Sequence, residues 1–270
     1  PFIDITNRLL KSGVNAPVVK AYSPENGFMI ISDLGSILYL DKLNNDNADE
    51  LYRIAIDSLI IMQSQTECSE LPEYDEKRLR QEMNLFRDWL LEKHLGLTTN
   101  FEWLGQTFSF LTQSALEQPR VFVHRDYHSR NLIWHADQAP GILDFQDAVV
   151  GPVSYDLVSL LRDCYIQWPQ ERVVNWVKYY CDNVRKKGLL RDRSDTEFLR
   201  WFDLMGIQRH LKASGIFARL WHRDGKNGYL KDIPRTLNYI VEVSGRYPEL
   251  KELENILLTT VIPAIKEKQT

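Results

Sequence analysis

Apolar residues recur at helical spacing along most of this chain, and two stretches of shorter β-prone runs interrupt them. Phe2, Ile5, Leu9 and Leu10 share one face of a helix predicted over residues 1–12, with Gly13 and Asn15 as its stop. Val18-Val19 and Phe28-Met29-Ile30-Ile31 then read as two short strands joined at the turn signal Asn26-Gly27. Asp33-Leu34-Gly35 breaks that pattern. From about Asn47 the chain is predicted helical: Leu51, Ile54, Ala55, Ser58, Leu59 and Met62 form one stripe, and Leu79, Met83, Phe86 and Leu90 another. Both stripes read as core-facing.

Three β-prone runs follow at residues 121–123, 132–134 and 142–145, separated by polar loops. Beyond Pro152 helical spacing returns over 157–164, 173–184, 198–220 and 250–265. No repeat, low-complexity tract or long linker is visible. The expected fold is therefore α+β, with a short β-containing front and a helical body that carries a strand-and-loop insert.

Composition narrows the class. The 270 residues are 44% hydrophobic and 26% charged, ordinary for a folded chain. Net charge is −4, which argues against a general nucleic-acid surface. No apolar run reaches the roughly 20 residues that span a bilayer, so no membrane partner is expected. The three cysteines, Cys68, Cys164 and Cys181, are odd in number and widely spaced. They read as small buried hydrophobes in a reducing compartment, and a cytoplasmic location is expected.

The chemistry concentrates in the insert. His124-Arg125-Asp126 is followed after four residues by Asn131, the H-R-D-x-x-x-x-N spacing of kinase catalytic loops. Its four fixed letters would arise by chance in a chain this long about two times in a thousand, so coincidence is a poor account. Asp144-Phe145 lies thirteen residues beyond Asn131, at the end of a β-prone run. A loop between two strands can set Asp126 beside an acceptor hydroxyl, and Asn131 with Asp144 beside Mg²⁺, a cation that takes hard oxygen ligands. His124 and Arg125 are expected to brace the loop. Each of these residue types is also common in loops for turn-stabilising hydrogen bonds; the spacing is what favours chemistry. A zinc site at His124, Asp126, His128 and His135 competes poorly. Val121 and Val123 favour a strand, and the Glu of H-E-x-x-H is absent.

His128, together with Asp144-Phe145-Gln146-Asp147 in place of D-F-G, resembles the aminoglycoside phosphotransferase family, which also includes choline, homoserine and sugar kinases. Within it, three groups of strings are similar to the cell-wall-recycling kinases that phosphorylate N-acetylmuramate and N-acetylglucosamine at the anomeric hydroxyl. They are Phe122–Leu132; Leu143–Ala148 with Gly151-Pro152 and Tyr155–Asp163; and Trp221–Lys226 with Asp232–Arg235. The resemblance implies a bilobal kinase-like fold with a small partial β-containing N-lobe and a large, mainly helical C-lobe. Residues 1–34 would be the remainder of the N-lobe and the hinge. Residues 35–270 would be the C-lobe, with the catalytic and metal site at 121–147.

The resemblance also assigns roles. Asp126 is implied as catalytic base, and Asn131 and Asp144 as metal ligands. Ile31, Ser32 and Asp33 are implied as the hinge that holds the base of ATP, with Ile133 and Ile142 as its apolar floor. Asp156 is implied as a loop brace. His128, Gln146, Asp163 and His222 could meet sugar hydroxyls, and Arg162, Arg209 and Arg223 a lactyl carboxylate. ATP, Mg²⁺ and a small sugar are the implied ligands.

The sequence departs from the pattern at its front. Neither a Gly-rich loop nor a Lys–Glu pair is found before Asp33. With Pro1 rather than Met first, the remaining N-lobe strands are expected upstream. Another small-molecule kinase of the same family and a silent pseudokinase are the alternative readings. Intact Asp126, Asn131 and Asp144 disfavour the second.

Overall fold

The computed structural model describes residues 1–98, 101–136 and 138–269. Its elements follow in the order α1 (Phe2–Lys11), β1 (Val19–Ser23), β2 (Phe28–Ile31), α2 (Tyr39–Lys42), α3 (Ala48–Gln65) and α4 (Glu76–Leu85), which runs into wide π-type turns over Phe86–His94. Then come α5 (Glu102–Leu116), β3 (Arg120–Val123), β4 (Leu132–Ile133), β5 (Gly141–Ile142), β6 (Val149–Pro152), α6 (Tyr155–Leu161), α7 (Gln170–Lys186) and α8 (Asp195–Asp224). The chain closes with α9 (Ile233–Ser244), α10 (Lys251–Ile256) and α11 (Ile262–Gln269). Among the described residues, no helix is long and apolar enough to cross a membrane.

Two compact units form. One comprises Pro1–Glu73 with Pro119–Leu199, the other Tyr74–Gln118 with Arg200–Thr270. Among the described residues, the first contains every strand. Its opening helix ends as the sequence predicts: Gly13 takes φ +86°, Val14 N–H donates to Leu9 O, and Gly13 N–H donates to Leu10 O. This pair of bonds satisfies carbonyls that the last turn would otherwise strand, and a side chain at Gly13 would oppose the left-handed backbone. Beyond it, Ile142 N–H donates to Asn15 O, so the chain after α1 is pinned to β5. The β1–β2 hairpin pairs Ser23 with Phe28 across the Pro24–Gly27 turn. Tyr22, Phe28 and Ile30 on it are exposed.

The remaining strands form two short antiparallel pairs. β3 pairs with β6, Val123 opposite Val149 and Arg120 opposite Pro152, and β4 pairs with β5, Leu132 opposite Ile142. Sequence pattern does not predict β6, because Gly151 and Pro152 weaken strand propensity. The pairing survives because Val121, Phe122, Val123 and Val149 are all buried, and each such side chain removed from water contributes about 1.5–3 kcal/mol. α3 lies against β3 and α7. Gln63 on α3 donates to Val153 O just past β6, and the Tyr180 hydroxyl on α7 donates to Gln63 Oε1.

In the second unit, α8 is apolar or buried on nearly every side between Trp201 and Ala218. A buried ion pair, Lys212 with Glu82 at 3.2 Å, joins α8 to α4, and the Tyr74 hydroxyl also donates to Glu82. Gly215 permits the closest backbone approach. A Cβ there would overlap the backbone of Leu85 and Phe86, where α4 widens into its π-type turns. Gly215→Ala is expected to destabilise the protein by roughly 3 kcal/mol in urea unfolding. Gly105→Ala on α5 meets nothing within 4 Å and should be neutral or stabilising by up to about 1 kcal/mol.

Candidate active site

The β3–β4 connection carries the His-Arg-Asp segment, and side chains from elsewhere in the same unit hold it. The first is Asp156, fully buried in the first turn of α6. Its Oδ2 accepts from His124 N–H at 2.7 Å and its Oδ1 from Arg125 N–H at 3.0 Å. That grip holds Arg125 at φ +78°, a conformation costly for a residue with a Cβ. The second is Asp163, just past α6, whose Oδ2 accepts from Ser129 N–H at 3.0 Å and Ser129 Oγ–H at 2.5 Å. Asp163 Oδ1 accepts from Tyr165 N–H at 3.0 Å. Between these anchors the loop is internally bonded: His128 N–H donates to Asp126 O at 3.1 Å, and Asn131 N–H to His128 O at 2.9 Å.

His124 points inward and is fully buried, edge-on to Tyr127 and Phe145. Its Nδ1 accepts from Asp126 N–H at 3.2 Å, so the imidazole fixes the backbone of the predicted base. Burial pushes the imidazole down to about 4, against the opposing pull of nearby Asp126. Tyr127 also turns inward, and its hydroxyl donates to Ala55 O at 2.8 Å. With these two side chains packed into the core, Asp126 between them is left partly accessible.

Around the expected metal ligands, Asn131 Nδ2 donates to Asp126 O at 3.0 Å and lies 3.4 Å from Asp144 Oδ2. Leu143 N–H donates to Asn131 O, which ties the end of β5 to the catalytic loop. Asp144 is exposed and held at φ +63°. The buried Phe145 ring beside it stacks on Phe2 of α1 at 5.0 Å. Gln146 Nε2 donates to Asp144 Oδ1 at 2.8 Å. With its amide nitrogen committed to Asp126 O, Asn131 has its side-chain oxygen as a hard donor beside an exposed carboxylate. That set suits Mg²⁺, which is held by one or two carboxylates plus phosphate oxygens. Among the described residues, no group of three or more His, Cys, Asp or Glu could cage a metal by itself.

Of the segment expected to be the hinge, Ser32 is engaged with Val18, N–H to O and Oγ from N–H, both at 2.8 Å. Asp33 Oδ1 accepts from Gly35 N–H at 2.7 Å. A Cβ on Gly35 would stand 3.6 Å from Ile133, and Leu34 abuts Gly141, so this segment runs alongside β4 and β5. Ile133 and Ile142 are both buried there, while Ile31 at the end of β2 is exposed.

The expected acceptor residues separate into two groups. His128, Gln146, Arg162 and Asp163 belong to the first unit, where His128, Gln146 and Asp163 sit on or against the catalytic and metal loops. Arg162 caps α6 with only 1% of its surface exposed. Arg209, His222 and Arg223 lie on α8 in the second unit. Arg209 is buried; Arg223 donates to its neighbour Asp224 at 2.8 and 2.9 Å; His222 Nε2 lies 3.1 Å from His94 Nδ1. Sequence reasoning gave no role to Ser129, Arg130 or Tyr165, because no spacing in the chain announces that 163–165 folds onto 128–130.

These features together describe a kinase-like phosphotransferase site, and the chain belongs to the phosphotransferase enzyme family, whose model matches residues 1–202. It is 47% identical over 260 residues to the N-acetylmuramate/N-acetylglucosamine kinase of Pseudomonas aeruginosa, a match that covers 95% of this chain and 77% of the relative. Identity to the enzyme of the same name in Pseudomonas putida is 45% over 261 residues, covering 95% and 76%. Among solved structures, the ADP-bound aminoglycoside phosphotransferase APH(2'')-Ib superposes with a TM-score of 0.58 at 18% identity, covering 90% of this chain and 81% of that one. That likeness shows the fold: α+β and kinase-like, mainly helical with a small β portion.

Asp156→Ala strands two backbone N–H groups. It should cost roughly 3 kcal/mol in denaturant unfolding and lower turnover, while Asp156→Asn, which keeps one acceptor oxygen, should lose less. His124 gives a pH signature. It is neutral in the folded chain, whereas the unfolded chain binds its proton near 6.5. Stability is therefore full above that pH and falls as pH drops from about 6.5 towards 4, by on the order of 3 kcal/mol. Thermal unfolding across that range should show the fall, and His124→Asn should flatten it.

Proposed function

We propose that this protein is an ATP-dependent kinase that phosphorylates the anomeric hydroxyl of an N-acetylated amino sugar, N-acetylmuramate or N-acetylglucosamine. The observation that carries the reading is the pairing of Asp126 with Asn131 and Asp144 on one braced loop system, in a chain 47% identical to a kinase named for those two sugars. Asp126 is the base: the loop holds its carboxylate where it can orient the acceptor hydroxyl and take its proton as the oxygen attacks. Asn131 and Asp144 would hold Mg²⁺. When bound, the ion neutralises charge on the transferred phosphate oxygens. Gln146, bonded to Asp144, holds that carboxylate in orientation.

The segment Ile31–Asp33, running beside Ile133, Gly141 and Ile142, is the candidate support for the adenine. Residues 1–34 act as N-lobe remainder and hinge in this reading. Asp163 is assigned to loop bracing, with any sugar contact made through the loop it holds. The expected location is the cytoplasm, where ATP is supplied.

The direct test incubates the protein with ATP, Mg²⁺ and a panel of both N-acetyl sugars, aminoglycosides and choline, with the phosphate position read by NMR. A 1-phosphate from either N-acetyl sugar is the expected product; phosphorylation of choline or an aminoglycoside alone would overturn the substrate assignment. Asp126→Asn should reduce kcat by about 10²–10⁴-fold with little change in KM. Asp144→Asn should raise the Mg²⁺ concentration needed for half-maximal rate by at least about tenfold.

A further inference from the structure

Two histidines of the second unit meet at the end of α8. His94 closes the π-type turns that continue α4, and His222 lies in the last turn of α8. His94 Nδ1 and His222 Nε2 stand 3.1 Å apart, with ring centroids 5.3 Å apart and planes at 66°. His94 is half-buried and His222 exposed, so the pair lies at the surface.

Close packing two turns away holds the two elements together. At Gly215 the backbone of α8 comes so near Leu85 and Phe86 that a Cβ would overlap them. His222 lies seven residues beyond Gly215 and His94 eight beyond Phe86, about two turns along each element. Phe86, Leu90 and Leu91 between them are buried. Packed helical backbone therefore presents both imidazoles.

Both rings are uncharged at neutral pH. Burial lowers each below its usual range, and nearby positive groups add to this: His222 and Lys268 for His94, Lys93 and Lys268 for His222. Neutral imidazole is the form that ligates metals. Across the contact one ring donates its N–H to the other. A metal needs both lone pairs, so on binding the donor ring carries its proton on its other nitrogen, and none is gained or lost. The exposed His222 ring can tilt to make the lone pairs converge. Metal–nitrogen bonds of about 2.0–2.1 Å set two ligand nitrogens about 2.9–3.4 Å apart, from octahedral to tetrahedral angles. The 3.1 Å separation falls inside that window.

We infer that His94 and His222 form a two-histidine chelate for a divalent transition-metal ion, a set distinct from the ligands proposed for Mg²⁺. Nitrogen donors suit Cu²⁺, Ni²⁺ and Zn²⁺, whereas Mg²⁺ takes oxygen. Among the described residues, no third His, Cys, Asp or Glu joins the pair to make a cage. Water completes the coordination, so the ion is exchangeable, and the positive charge of Lys93 and Lys268 loosens its hold further. Bound metal ties the end of α8 to the turns after α4. The assignment is independent of the acceptor proposed above.

The test titrates Cu²⁺ and Zn²⁺ into the protein, free of any affinity tag, by calorimetry in the presence of excess Mg²⁺. The same titrations follow in His94→Asn and His222→Asn. Both ions should bind despite the Mg²⁺, Cu²⁺ the tighter. Each variant should weaken binding at least about tenfold, because one imidazole alone lacks the chelate. Electron paramagnetic resonance of the Cu²⁺-loaded protein should show two coordinated nitrogens, a readout that needs no variant. Absence of binding, one nitrogen or none in the spectrum, or an affinity unchanged in either variant overturns the inference.

Discussion

One short helix holds the catalytic loop. Asp156 in its first turn and Asp163 just beyond its last residue reach the loop at His124–Arg125 and at Ser129. Both carboxylates are buried, and both accept hydrogen bonds chiefly from backbone N–H groups. Charge-assisted bonds of this kind are strong enough to repay the loss of hydration and to hold a conformation that the loop would not adopt alone. The left-handed backbone of Arg125 is the visible consequence. With the two ends of the segment fixed, Asp126, His128 and Asn131 take positions dictated by the rest of the unit.

A second left-handed residue, Asp144, marks the side of the proposed metal ligands. Here the constraint is apolar. Phe145 is buried against Phe2 and His124, and this forces the preceding carboxylate outward beside Asn131. The opening helix α1 thereby supports the geometry of a site more than a hundred residues away in sequence. The His124 ring belongs to both halves: it packs on Phe145 and accepts from Asp126 N–H, so the proposed base and the proposed metal ligand Asp144 share one rigid hub. That hub supports phosphoryl transfer because such chemistry asks the protein for fixed positions and charge placement rather than covalent work.

Legibility in the sequence varied by element for physical reasons. α1 and its Gly13 stop, the Asn26-Gly27 hairpin, α3 and α7 were all readable, because local periodicity and turn chemistry specify them. α5 and α9 escaped notice, and β6 was hidden by Gly151 and Pro152; its pairing with buried β3 outweighs its poor propensity. The candidate reactive residues were legible because H-R-D-x-x-x-x-N is a spacing within one loop. The Asp163–Ser129 bond and the Arg130–Tyr165 contact were not, since each joins residues more than thirty positions apart.

By itself the sequence singled out the residues proposed to do the chemistry, a candidate base and two candidate hard oxygen ligands, and a helical body large enough to bury what supports them. Those follow from side-chain type and local spacing. Only the tertiary structure decided which arginines are buried, as Arg162 and Arg209 are, and which is paired with a neighbouring carboxylate, as Arg223 is. Burial and pairing are properties of three-dimensional neighbours, and a cation's ability to recognise an anion depends on them more than on its place in the chain.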